Sequence, residues 1–185
     1  MNSPKKALDA YLVADARIGN RRALARLMQL RGPRLMAHAT RLLGDGEGER
    51  DVVQDAWVEV MRGLGGLRDD GAFLPWALQI VSRRVARVIS RRQRDRRLVS
   101  DFAAEAEVST PEAGPAAIDA ARVRAAIVQL SPEQSATVAL FYLEDLSVAE
   151  VALAMDVPIG TVKTRLMHAR TKLRGHFEGE SDEKS

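Results

Sequence analysis

Apolar residues recur along this chain at intervals of three and four, the spacing of one face of an α-helix, and the alternation that marks a strand is scarce. The clearest case is the stretch 147–174, SVAEVALAMDVPIGTVKTRLMHARTKLR. Ser147, followed three residues later by Glu150, forms a capping box, in which each side chain satisfies a free amide at a helix start. Val148, Val151, Ala152 and Met155 then make an apolar stripe that ends where Asp156, Val157 and Pro158 interrupt the run. A second helix is predicted from Ile159 to Leu173, with Val162, Leu166, Ala169 and Leu173 facing inward. Two capped helices joined by a three-residue turn predict a helix-turn-helix, whose second helix enters the major groove of DNA.

The outward side of that second helix carries Lys163, Thr164, Met167, His168 and Thr171, flanked by Arg165, Arg170, Lys172 and Arg174. No acidic residue lies between Asp156 and Glu178. A basic amphipathic helix alone is usually a solvated surface. The preceding helix and turn favour nucleic acid instead, and Gly160 leaves the backbone at the helix start bare enough to approach a phosphate.

The same spacing organises the chain upstream. Residues 9–43 predict two helices broken at Gly32-Pro33. Residues 44–48 form a glycine-rich turn whose carboxylates resemble a calcium loop, but Arg50 stands where that loop needs glycine and Ala56 where it needs a bidentate glutamate. In 51–64, Val53, Trp57, Val60 and Leu64 face one way, leaving Asp51, Gln54, Asp55, Val58 and Arg62 on the other side. Gly63, Gly65 and Gly66 end that helix, 67–72 is a loop, and a further helix begins near Phe73. It turns Trp76, Ile80 and Val88 toward a core and carries Arg83, Arg84, Arg87 and Arg91 among its polar positions, with Phe73 and Trp76 packing the core. The segment 98–119 has five acidic residues and no basic ones, with Pro111, Gly114 and Pro115, which is the composition of a linker. Helical spacing resumes at 120–130, and Ser131-Pro132-Glu133-Gln134 caps a helix running through Tyr142. The expected fold is all-α: two small helical domains, 1–97 and 120–185, joined by a flexible acidic linker at 98–119, the second containing the helix-turn-helix and ending in a disordered tail.

Composition narrows the function. The chain has no cysteine and no signal-like N-terminal core, and no apolar run approaches the roughly 20 residues needed to span a bilayer. Membrane insertion is not expected and a cytoplasmic location is. His38, His168 and His176 are scattered, and no pair of residues has nucleophile-and-base or metal-ligand spacing, so neither an enzyme nor a metal or cofactor protein is expected. The net charge of +3 conceals segregation: residues 83–97 carry +7 and 157–177 carry +5, which leaves −9 for the rest. Two basic stripes on an otherwise acidic chain suggest two contacts with one polyanion.

The stretch from LSPEQSATVALFYLEDL through GTVKTR to the helix end resembles the C-terminal domain of extracytoplasmic-function sigma factors of bacterial RNA polymerase. DVVQDAW, the Phe73 and Trp76 spacing with Ile80, and the arginine-rich end resemble their N-terminal domain, and the acidic linker resembles the segment between the two. The resemblance implies that Asp51, Gln54 and Asp55 dock on the polymerase clamp. It implies that the 67–72 loop and the following helix, with Arg83, Arg84, Arg87 and Arg91, melt and read the downstream promoter element as single strands. It implies that Gly160, Thr161, Lys163, Thr164, Met167 and His168 read the upstream element in duplex form, while Arg165 and Arg170 hold phosphate. Core RNA polymerase, promoter DNA and an anti-sigma factor are the implied partners. Three positions depart from the family's common pattern: Arg83 stands where asparagine is usual, Arg87 where a polar or acidic residue is frequent, and Pro158 where serine often opens the recognition helix. An arginine donates hydrogen bonds but accepts none, so Arg83 is expected to hold phosphate and to relax selectivity for a flipped base. The alternative function is a stand-alone helix-turn-helix regulator.

Overall fold

The structure, a computed structural model, describes residues 4–43, 48–99 and 130–182, and no strand occurs among them. Four helices form the N-terminal half: α1 (Pro4–Arg17), α2 (Arg21–Leu43), α3 (Glu49–Gly63) and α4 (Phe73–Val99). Two short 3₁₀ turns, Leu64–Gly66 and Asp70–Ala72, join α3 to α4. The C-terminal half has α5 (Pro132–Tyr142), α6 (Val148–Met155) and α7 (Ile159–Asp182). The expected acidic linker and the 120–129 helix fall in 100–129 and, with the end of the expected tail, lie outside the described residues; α4 itself continues to Val99.

The first two helices divide elsewhere than expected. Pro33 sits inside α2, which is continuous, and the break falls instead at 18–20. Gly19 there has φ +94, a conformation that costs glycine little, and the Asn20 side chain accepts from the amides of Arg22 and Ala23, capping α2. Proline removes one helical hydrogen bond at a cost of about 3 kcal/mol. Burial of Leu27, Leu35, Ala39 and Leu42 along one face offsets that loss, since each buried leucine contributes about 1.5–3 kcal/mol. Arg31 lies on the same face, buried and paired with Asp9 of α1 at 2.7 Å. Burial raises the Asp9 carboxyl pKa, and the Arg31 hydrogen bond and charge oppose the rise.

The remaining described helices begin within two residues of where the sequence predicts. Val53, Trp57, Val60 and Leu64 are buried, and Phe73 lies fully enclosed between the rings of Trp57 and Trp76, with centroids 6.3 and 6.2 Å away. A side chain at Gly63 would meet the Trp76 ring at 3.0 Å, so the ring would have to shift to admit any larger residue where α3 passes it. Both predicted capping boxes form, at Ser131 with Gln134 and at Ser147 with Glu150.

The two halves pack against each other, α4 on α6 and α2 on α5. Two ion pairs, Lys6 with Glu150 and Arg34 with Glu144, flank the junction. At its centre the buried Ser82 hydroxyl donates to the Ala154 carbonyl at 2.6 Å and lies 2.8 Å from His38 Nε2. Because that hydroxyl proton is spent on Ala154, Nε2 of a neutral His38 must be the donor, which leaves Nδ1 bare and without a hydrogen-bond partner.

Burial, and secondarily the charge of Arg41, pushes the His38 pKa down to about 3 from 6.5. The folded protein therefore binds fewer protons than the unfolded chain across this interval. The stabilisation is complete above 6.5 and is lost as pH falls from there toward 3, by about 1.4 kcal/mol per pH unit for one group. His38→Gln keeps a donor without a titrating ring and should flatten that slope in chemical denaturation between about pH 7 and 5. Parallel slopes in the two proteins would assign the dependence to other groups.

Candidate nucleic-acid interface

The helix-turn-helix is built by local chemistry. The α6 start is closed by Ser147 accepting from the Glu150 amide at 3.3 Å while the Glu150 carboxylate accepts from the Ser147 amide at 2.8 Å. The Lys6 and Ser147 hydrogen bonds hold the Glu150 pKa down against its partial burial, which alone would raise it. The helix ends at Asp156, whose φ of +55 reverses the chain, and the Val157 amide returns to the Ala152 carbonyl at 3.0 Å. Pro158 then opens α7 with its carbonyl, accepting from the Thr161 and Val162 amides at 3.0 and 3.3 Å. Its missing hydroxyl is no obstacle, because the carbonyl takes the first helical bonds.

Val162, Leu166 and Ala169 seat α7 against α5 and α6. Gly160, Lys163, Thr164, Met167, His168 and Arg170 are left exposed, and Thr161 is half-exposed beside them. A side chain at Gly160 would meet nothing within 4 Å, so the helix start is open. The hydroxyls of Thr164 and Thr171 donate back along the helix to Gly160 and Met167 carbonyls at 3.0 and 3.1 Å, so toward a ligand these oxygens offer lone pairs. Arg170 Nε donates to the Tyr142 hydroxyl at 3.1 Å, which fixes the guanidinium at one edge of this face. Arg165 differs from the other site residues of α7: it is half-buried, and its Nη1 is enclosed without a hydrogen-bond partner. The rest form one contiguous surface of mixed donors and acceptors, suited to base edges with phosphate contacts at the rim.

On α3, Asp51, Gln54 and Asp55 are all exposed on one side, as expected. The α4 arginines divide. Arg87 and Arg91 point to solvent. Arg84 donates to Asp55 at 2.8 Å and to Glu59 at 2.9 and 3.1 Å, so two residues expected to meet different partners meet each other. Arg83 is also engaged within the protein: Nε and Nη2 donate to the Asp156 carboxylate at 2.9 and 3.2 Å. Gln79 donates to the same carboxylate at 2.8 Å. These bonds, that from Arg83 foremost, lower the Asp156 pKa and raise that of Arg83. Both side chains remain nearly half exposed, 49% for Arg83 and 44% for Asp156, so the pair is worth roughly 0.2–1 kcal/mol.

The 67–72 loop is anchored by a residue the sequence did not single out. Arg17 of α1 donates to the Leu67 carbonyl at 2.8 Å and to the Asp70 carboxylate, and Asp69 accepts from the Gly71 amide. Asp156, Gln79, Glu59 and Arg17 all meet partners 25 to 77 residues away, and no local spacing signals such pairs. Among the described residues no group of three His, Cys, Asp or Glu could hold a metal, and no helix is long and apolar enough to cross a membrane.

Comparison with known proteins places both halves in one group. The sigma-70 region 2 family matches residues 27–95 and the sigma-70 region 4 family matches residues 120–173. ECF RNA polymerase sigma factor SigM of Mycobacterium tuberculosis is 32% identical over 167 residues, covering 89% of this chain and 82% of the relative. RNA polymerase sigma-H factor of Pseudomonas aeruginosa is 28% identical over 174 residues, covering 88% and 90%. Among solved structures, CnrH in complex with the cytosolic domain of CnrY superposes with a TM-score of 0.62 at 26% identity, covering 93% of this chain and 98% of that one. RpoE of Bartonella quintana in complex with the anti-sigma factor NepR superposes at 0.66 with 21% identity, covering 83% and 96%, which supports the fold.

The geometry of α7 separates two kinds of contact. Lys163→Ala should cost about 1–3 kcal/mol on the preferred duplex and relax preference at one position. Arg170→Ala should weaken all sequences alike and lower the salt slope of binding by about one. Binding titrations on matched and mismatched duplexes at several salt concentrations measure both, and uniform losses for Lys163→Ala would place it on phosphate.

Proposed function

This chain belongs to the extracytoplasmic-function sigma factors of bacterial RNA polymerase, and on that basis we propose how its surfaces share the work of promoter selection. It directs core polymerase to specific promoters and acts with that polymerase and promoter DNA. Sigma factors are non-enzymatic initiation factors, so the chain contributes recognition and polymerase supplies the chemistry. Its place of action is where polymerase works, in the cytoplasm.

Three surfaces carry the proposal. The exposed side of α3, with Asp51, Gln54 and Asp55, docks on the polymerase clamp. The arginine-rich part of α4, with Arg83, Arg84, Arg87 and Arg91, holds the downstream element as single-stranded DNA, whose backbone suits arginine. The exposed face of α7, with Gly160, Thr161, Lys163, Thr164, Met167 and His168, reads the upstream element, with Arg170 and Arg165 on its flanks. Arg83 holds phosphate, because a guanidinium cannot accept from a base edge. An anti-sigma factor is the further partner, by likeness to CnrH and to RpoE, whose structures are complexes with CnrY and NepR.

The observation that carries this reading is that one chain bears an exposed polar and basic face on α7 and a separate exposed acidic face on α3. A stand-alone regulator needs only the first. Run-off transcription from core polymerase, with and without the protein, is the direct test, and promoter-specific transcripts that depend on the protein are expected. Asp51→Arg should weaken core-polymerase binding while leaving the fold intact, since exposed substitutions usually stay within about 0.5 kcal/mol. It is a cleaner variant than Asp55→Arg, which would also set a positive charge against Arg84. Unchanged affinity for core polymerase would remove this face from the docking surface.

A further inference from the structure

The connection between α3 and α4 carries Gly65, Gly66 and Gly71, so its own residues restrain its backbone little. Its order comes from α1. Arg17, the last residue of that helix, reaches across with one terminal nitrogen: Nη2 donates both to the Leu67 carbonyl at 2.8 Å and to the Asp70 carboxylate. These two bonds fall on either side of Arg68 and Asp69, whose side chains are exposed. The end of α1 is itself held, because the Gly19 amide returns to the Ala16 carbonyl at 3.0 Å and the Asn20 side-chain amide donates to the Asp15 carboxylate at 2.6 Å. The clamp therefore stands on a fixed base.

Between the clamped points Asp69 opens the short turn that leads into α4. One of its carboxylate oxygens accepts from the Gly71 amide at 2.9 Å, and its carbonyl accepts from the Ala72 amide at 3.0 Å. The second carboxylate oxygen meets no donor among the described residues. Such an acceptor matters beside α4, because Arg83, Arg84, Arg87 and Arg91 donate hydrogen bonds and accept none. They cannot read a donor on a base edge. An exocyclic amino group is such a donor, carried by adenine, cytosine and guanine and absent from thymine.

We propose that Arg17 is a positioning residue for base reading: its clamp on Leu67 and Asp70 holds the free Asp69 oxygen where it accepts from the amino group of an unpaired base. The proposal rests on the assignment of the 67–72 loop and α4 to the melted downstream strand. Arg17 touches no base and acts through Asp69. A carboxylate on an unclamped glycine-rich loop would lose conformational freedom on meeting a base and would adapt to several, whereas a clamped one is ordered before the strand arrives. Arg17 thus sets how sharply the loop discriminates.

The test is run-off transcription by the full-length protein in the assembled holoenzyme, on promoters carrying each of the four bases at each downstream-element position. At one position the wild type should disfavour thymine about tenfold against the amino-bearing bases. Asp69→Asn can keep the Gly71 bond while it turns the free oxygen into a donor, and it should erase that ratio. Arg17→Ala should shrink the ratio about fivefold, and Asp70→Ala should shrink it less, since the Leu67 bond survives. Arg17→Lys, whose ammonium can donate to both acceptors, should restore most of it. Arg17→Ala added to Asp69→Asn should change the ratio no further. Affinity for core polymerase should be unaltered throughout. An equal fall on all four bases in Arg17→Ala would reduce Arg17 to a structural brace and overturn the proposal. A ratio erased by Asp69→Asn but untouched by Arg17→Ala and Asp70→Ala would overturn the positioning role and leave the loop as a reader. A wild type indifferent to thymine, or an unchanged ratio in Asp69→Asn, would overturn the reading by Asp69 and the role of Arg17 with it. Arg87→Ala in the same holoenzyme judges the α4 assignment separately: a defect in promoter opening upholds a DNA role for α4 whatever the loop does.

Discussion

Everything in this molecule is arranged around one helix that packs against three neighbouring helices over its length. A helix buried on one side needs only an amphipathic stripe, but α4 packs against α2, α3 and α6 at once, so its third face must suit a neighbour as well as solvent. The residues there are polar and can live in either setting: Gln79 and Arg83 reach outward, and Ser82, though buried, satisfies its hydroxyl on a carbonyl of the opposite half. A serine bonded on one side to His38 and on the other to Ala154 adds a directional polar contact to a junction where buried apolar residues of both halves form one cluster.

The charges follow the same economy. A run of arginines as dense as that on α4 repels itself unless anions stand nearby, and in this structure carboxylates of the protein fill that role. Asp55 and Glu59 take Arg84, Asp156 takes Arg83 and Asp95 lies 4.0 Å from Arg91, while Arg87 is left facing solvent. These pairs are exposed and individually weak, which suits groups that must exchange one anion for another. The buried pair of Asp9 and Arg31 is of a different kind. Removing either partner would strand a charge in the core, at a cost of about 3–5 kcal/mol, so that pair fixes α1 on α2 and is not available for exchange.

Local and tertiary effects divide unevenly between the halves. The helix-turn-helix is nearly self-describing: a capping box, a reversal at Asp156, and an apolar triad on α7 fall within about 25 residues, and each acts over one or two helical turns. The N-terminal half relies on distant partners. Arg17 holds a loop some 50 residues later, and Trp76 lies against a glycine 13 residues before it. Pro33 shows the limit of local rules: a proline that should end a helix sits within one, because the packed faces on either side of it outweigh a single lost hydrogen bond.

The amino-acid sequence by itself determined the helical class, the end of α3 and the start of α4, both capping boxes, the inward stripes and the exposed faces of α3 and α7. These depend on periodicity, capping and turn chemistry, which are short-range and leave a direct trace in residue order. The resemblance to sigma factors followed from the same residues. Only the tertiary structure decided which arginines are already engaged, that the two halves lie against each other, and that α1 and α2 part at Gly19 and not at Pro33. A carboxylate such as Asp156 looks like a turn residue in the sequence and becomes the partner of Arg83 only when 73 positions of chain are folded back. Ion pairs, buried hydroxyls and shared helix faces are set by distance in space, and spacing along the chain carries no record of them.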